Sequence, residues 1–166
     1  MKILLAVDGS TYSDAAVAEV LQRQWPAQSE VKVITVFETP LVFGTEPWAP
    51  SPAYFERLEV SVREGAKATL DRALNKLKAI RDKGVAIASA VIQGPPVQMI
   101  VEEADAWGAD LIVMGSRGLG AWSRLLLGSV SSGVLHHAKC SVEIVRLREA
   151  QENSSCTKPA FAQSAR

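Results

Sequence analysis

The chain has 166 residues, 48% of them hydrophobic and 22% charged, a globular balance that excludes wholesale disorder and a length that favours one domain. Eighteen Lys and Arg offset eighteen Asp and Glu, for a formal net charge of +0. That excludes a general polyanion binder held by surplus cations. The two cysteines, Cys140 and Cys156, exclude a disulfide scaffold and a four-cysteine zinc site.

The chain opens on Ile3-Leu4-Leu5-Ala6-Val7, a short apolar run closed by Asp8-Gly9. It reads as a strand buried on both faces rather than as a secretory leader. No run of about 18 apolar residues occurs, so the expectation is a soluble, cytoplasmic protein with neither membrane nor nucleic-acid partner. Ala16, Val17, Val20 and Leu21 then recur at helical spacing, Ser10, Thr11 and Ser13 offer N-caps, and Pro26 stops the helix. Val31–Val36 is a second strand, rich in β-branched residues.

Thr39 to Pro52 carries Pro40, Pro47, Pro50, Pro52 and Gly44, and reads as a long loop. Phe55, Leu58, Val62, Ala66, Leu70, Leu74 and Leu77 give a long helical stripe with a charged opposite face, ended by Gly84. Val85–Ile92 is a third strand, diluted by alanine and serine. Pro96 suits a first helical position, Val97, Ile100, Val101, Ala104 and Trp107 form the next stripe, and Gly108 is its C-cap. Leu111–Met114 is a fourth strand, Gly115–Gly128 a glycine-punctuated loop, Ser129–Ala138 a short helix and Val142–Val145 a fifth strand. Strict alternation predicts an α/β fold: a single-domain, open, parallel five-stranded sheet with helices on both faces. The domain is expected over residues 1–147, with 148–166 a flexible polar tail.

The segment that carries chemistry is Gly115-Ser116-Arg117-Gly118-Leu119-Gly120, followed by Gly128-Ser129-Val130-Ser131-Ser132. A buried strand runs into glycines, and serines open the next helix. Amides there can point at an anion. Several charge-assisted bonds of roughly 1.5–3 kcal/mol each support micromolar binding. The spacing is not a Walker A loop, because Ala121-Trp122 follow the second glycine where Lys-Ser/Thr would stand. It is not the dinucleotide fingerprint either, since only Asp8-Gly9-Ser10 follows the first strand.

Gly115-x2-Gly118-x9-Gly128-Ser129, together with KILLAVDGS at the start and GSVSSGVLHHAKCSVEIVR at 128–146, resembles the ATP-binding type of the universal stress protein family. The resemblance implies strand order 3-2-1-4-5, of the adenine nucleotide alpha hydrolase-like type, and an adenine nucleotide, ATP or AMP, with Mg²⁺ accompanying its phosphates. It sets Ala6, Val7 and Asp8 near the adenosine, Val36 beside the adenine, and Met114 and Gly115 along the ribose. Gly118, Gly128, Ser129, Val130 and Ser131 would cradle the phosphates, with Arg117 inside the motif. A side chain at Gly118 would then fill phosphate space. Lys139-Cys140-Ser141-Val142 departs from relatives that carry proline near this cysteine. The resemblance also implies a homodimer through strand five; if that strand is an edge, it presents Val142, Ile144 and Val145 as an apolar edge, with Glu143 and Arg146 able to pair across a two-fold axis.

The function implied is a stress-response regulatory switch, at most a slow ATPase. Two alternatives stand beside it. One is a small phosphotransferase or hydrolase using Asp8, disfavoured because Ser10 stands where a second acid is usual. The other is a nucleotide-free dimeric interaction module. Asp8 as a helix cap, the glycines as plain turns, and His136 and His137 as non-ligating residues are the purely structural readings.

Overall fold

The computed structural model describes residues 1–39, 51–81, 84–119 and 127–147. Its elements in chain order are β1 (Lys2–Ala6), α1 (Thr11–Gln22), β2 (Glu30–Phe37), α2 (Pro52–Arg81), β3 (Ala86–Gln93), α3 (Pro96–Trp107), β4 (Leu111–Gly115), α4 (Ser129–His137) and β5 (Ser141–Val145). Residues 40–50 of the Pro-rich loop, 120–126 of the glycine loop and the expected tail from 148 lie outside the described residues.

All strands pair in parallel in the order β3-β2-β1-β4-β5. The central strand β1 is apolar from Ile3 to Ala6 because both its faces are covered. Its parity splits the core. Ile3, Leu5 and Val7 join Val31, Val33, Leu111 and Val113 beneath α1 and α2. Leu4 and Ala6 join Ile34, Ile112 and Met114 beneath α3 and α4. At the sheet edge, β3 is half-exposed, which its alanines and serine tolerate.

Local chemistry sets the helix ends. Ser10 is the N-cap of α1, its Oγ accepting from the Ser13 amide at 3.1 Å. Gly108 caps α3 with φ 70°, the left-handed turn that glycine adopts without strain. The 30-residue α2 spans about 45 Å. Its buried residues, Ala66, Leu70, Ala73, Leu77 and Ile80, run from its midpoint to its C-terminal end, while Phe55, Leu58 and Val62 are only half-buried.

Candidate functional site

Parallel order 2-1-4 leaves the C-terminal ends of β1 and β4 adjacent, with chains departing to opposite faces, and a crevice opens at such a switch point. A cavity of about 510 Å³ occupies it, inside the roughly 300–1,000 Å³ range of small-molecule sites. Ala6, Val7, Ile34, Val36, Pro96, Ile100 and Met114 supply apolar lining. Asp8, Ser13, Gly115, Arg117, Gly118, Gly128, Ser129, Val130 and Ser131 make the rest, with Leu119 on the rim, 78% exposed. All twelve residues named from the sequence therefore line one cavity.

Ser13, Ile34, Pro96, Ile100 and Leu119 were not anticipated. Strand parity held a signal for Ile34, two residues before Val36 on the same face. The apolar stripe of α3 held one for Ile100.

Asp8 stitches the two loops. Its Oδ1 accepts from the Ser10 amide at 3.0 Å and its Oδ2 from the Leu119 amide at 3.1 Å. It is thus not the cap of α1, which is Ser10, but an Asx-type turn that reaches across the crevice. Ser10 Oγ also donates to the Arg117 carbonyl at 3.4 Å. A Cβ at Gly118 would stand 2.7 Å from Asp8 Oδ2. The space that a side chain there would fill is therefore first that of the protein's own carboxylate. At Gly115 an added Cβ would stand 2.6–2.8 Å from backbone atoms of Tyr12 and Ser13, so α1 packs directly on the end of β4.

Gly128 is the N-cap of α4, and no side chain caps it. The first-turn amides of Ser129, Val130 and Ser131 have no partners within the helix, and all three residues face the cavity. The Ser131 hydroxyl is buried and committed to the Gly115 and Ser116 carbonyls at 3.0 and 3.1 Å. The hydroxyl is thus taken up by the protein's own carbonyls. Arg117 is the one cation lining the cavity among the described residues, and its Nη1 donates to Tyr12 Oη at 3.0 Å. A cavity with this lining can bury a flat apolar group and hold an anion with amides and a guanidinium.

The remaining sequence candidates fall elsewhere. Glu143 is held by Arg23, whose Nη1 and Nη2 reach its two oxygens at 2.7 Å each. It ties β5 to the end of α1, and this bond is the main reason the Arg23 pKa is raised. Val142 and Ile144 pack against the α3/α4 side of the core and Val145 against the other, so these side chains serve the interior. His136 and His137 each engage a backbone carbonyl through Nδ1, at 2.7 and 2.8 Å. Among the described residues no three His, Cys, Asp or Glu come together as metal ligands. Cys140 packs partly buried against α3 and α4, and burial is the leading cause that pushes its thiol pKa up.

Fold and cavity together define an open α/β protein with a cavity at the sheet's switch point. Residues 1–146 match the Universal stress protein family. A universal stress protein of Thermus aquaticus is 36% identical over 146 residues, covering 87% of this chain and 97% of that one. Among solved structures, MJ0577 superposes with a TM-score of 0.74 at 26% identity, covering 90% of this chain and 97% of that one. A universal stress protein in complex with cAMP superposes with a TM-score of 0.58 at 28% identity, covering 87% and 96%. The chain belongs to the universal stress protein family.

Proposed function

We propose that this chain is an adenine-nucleotide-binding stress protein whose preferred ligand is ATP. The observation that carries the reading is that one cavity at the ends of β1 and β4 is lined both by apolar side chains and by the uncapped start of α4. Ile34, Val36, Ile100 and Met114 suit an adenine ring. The amides at the start of α4 and the Arg117 guanidinium suit phosphates. The relative in complex with cAMP supports adenine as the base. Mg²⁺ would come with the phosphates, because Mg²⁺ typically takes one or two carboxylates plus substrate phosphates. Asp8 is the acidic residue on the cavity wall among the described residues.

In this reading the protein acts as a regulator rather than as an efficient enzyme. Both Asp8 oxygens accept main-chain amides, which favours a holding role over a nucleophilic one. Turnover is slow, and the nucleotide state sets the conformation that a partner reads. We also propose a cytoplasmic homodimer joined through β5. Support comes from the position of β5 at the sheet edge, where its outer main-chain groups have no strand partner among the described residues.

The test is to denature protein purified from cells and separate the supernatant by ion exchange, then titrate emptied protein with ATP, AMP and cAMP by calorimetry. Near-stoichiometric adenine nucleotide and micromolar or tighter ATP binding support the reading. An empty protein that takes up none of the three refutes it. Sedimentation analysis showing only monomer at micromolar concentration refutes the dimer.

A further inference from the structure

Tyr12 belongs to no motif and does not line the cavity. It sits in the first turn of α1, half-buried, and it governs Arg117. The phenol oxygen accepts from Arg117 Nη1 at 3.0 Å, and the guanidinium carbon lies 5.4 Å from the ring centroid. One end of the guanidinium is thus fixed twice, by a hydrogen bond and by the face of a π-system. Its Nε is buried and has no acceptor among the described residues. Arg117 itself borders the cavity beside Gly118, Gly128 and Ser129.

The identity of the partner matters. Arg23 is held by two carboxylates, Glu143 and Glu19, which cancel its charge locally. Lys139 and Lys32 are likewise matched to Asp105 and Glu103. Arg117 is held by a neutral phenol, and no salt bridge joins it to a carboxylate among the described residues. A phenol fixes a guanidinium without neutralising it. The result is a pre-positioned cation at the cavity, with a buried donor still lacking an acceptor.

Resting on the nucleotide reading above, we propose that Tyr12 is a positioning residue that holds Arg117 as an un-neutralised cation. The site thereby selects phosphorylated adenosine over neutral adenosine. Calorimetry on the full chain, with AMP and adenosine as probes, tests this. The parent protein binds AMP more tightly than adenosine. Tyr12→Phe keeps the ring and deletes the acceptor, so AMP affinity falls about fivefold, the size of one net hydrogen bond, while adenosine affinity is unchanged. Arg117→Gln removes the charge and lowers the AMP-to-adenosine preference by about tenfold or more, the size of a charge-assisted bond. Tyr12→Phe placed on Arg117→Gln then changes nothing further, since no cation remains to be positioned.

Equal losses for AMP and adenosine in Tyr12→Phe, unchanged AMP binding, or a further fivefold loss in the double variant would each overturn the inference alone. A parent protein that binds neither probe overturns the nucleotide reading, and this inference with it.

Discussion

Gly115→Ala is expected to destabilise the protein by about 3 kcal/mol, the upper end of typical overpacking costs. The new Cβ would stand 2.6 Å from the Tyr12 carbonyl carbon, 2.7 Å from its oxygen and 2.8 Å from the Ser13 nitrogen. Comfortable carbon contacts lie at about 3.5–4.0 Å, so the overlap approaches roughly 1 Å. All three neighbours are backbone, and none can swing away as a side chain would. Relief requires the start of α1 to lift, and that start is held by Ser10, which caps the helix through the Ser13 amide and bonds the Arg117 carbonyl. For a chain of this size the loss corresponds to a melting temperature lower by about 6–12 °C. Urea and thermal unfolding followed by circular dichroism read it directly. Gly65→Ala is the internal control, because nothing lies within 4 Å of its added Cβ and it sits inside α2. It should stabilise by about 1 kcal/mol, leaving the two variants about 4 kcal/mol apart. A Gly115→Ala protein within about 0.5 kcal/mol of the parent, an ordinary surface-substitution effect, would refute the close approach of α1 to β4.

Two further outcomes are expected. Asp8→Asn leaves one acceptor oxygen where two amides need acceptors, so stability should fall by about 1–2 kcal/mol and hydrogen exchange at the Leu119 amide should quicken, as read by NMR; unchanged exchange would mean that the crevice is not bridged by this side chain. In a Cys156→Ser background, the pH midpoint for alkylation of Cys140 by iodoacetamide should lie above the ordinary thiol value, because burial disfavours the thiolate. The linked stability is present below the ordinary thiol pKa and declines as pH rises through the elevated folded value, since the unfolded chain releases that proton first; a midpoint at or below the ordinary value refutes the packing of Cys140.

The central strands were legible because parallel strands buried on both faces need uninterrupted apolar residues, and Ile3–Val7 and Leu111–Met114 supply them, closed by Asp8-Gly9 and by Gly115. Ser10 and Gly108 were legible because caps demand particular side chains or particular φ. Glu143 was not legible as an intramolecular partner. Its bond to Arg23 spans 120 residues, and nothing local distinguishes it from a free edge charge. Tyr12 was opaque for the same reason, since its partner lies 105 residues away. The long reach of α2 beyond its buried half was also hidden, because Phe55, Leu58 and Val62 continue the period of Ala66, Leu70 and Leu77 without a break. Periodicity reports which face is apolar and does not report where the layer beneath it ends.

The glycines of the site mark the boundary of what a motif can say. A glycine in a loop announces that something comes close, and spacing alone does not say what. Gly115 admits the backbone of α1, Gly118 admits the Asp8 carboxylate, and an added Cβ at Gly128 would stand 3.3 Å from Arg117 Cα. Each of the three is thus accounted for by the protein's own packing. The glycine spacing describes how the β1 and β4 loops are brought together, and the cavity lies at that junction. Loss of binding on substituting any of these glycines therefore carries no information about phosphate contact unless stability is measured beside it. The proposed ligand is better tested, with less disturbance of the junction, at other residues lining the cavity, above all at the Arg117 side chain and at Val36.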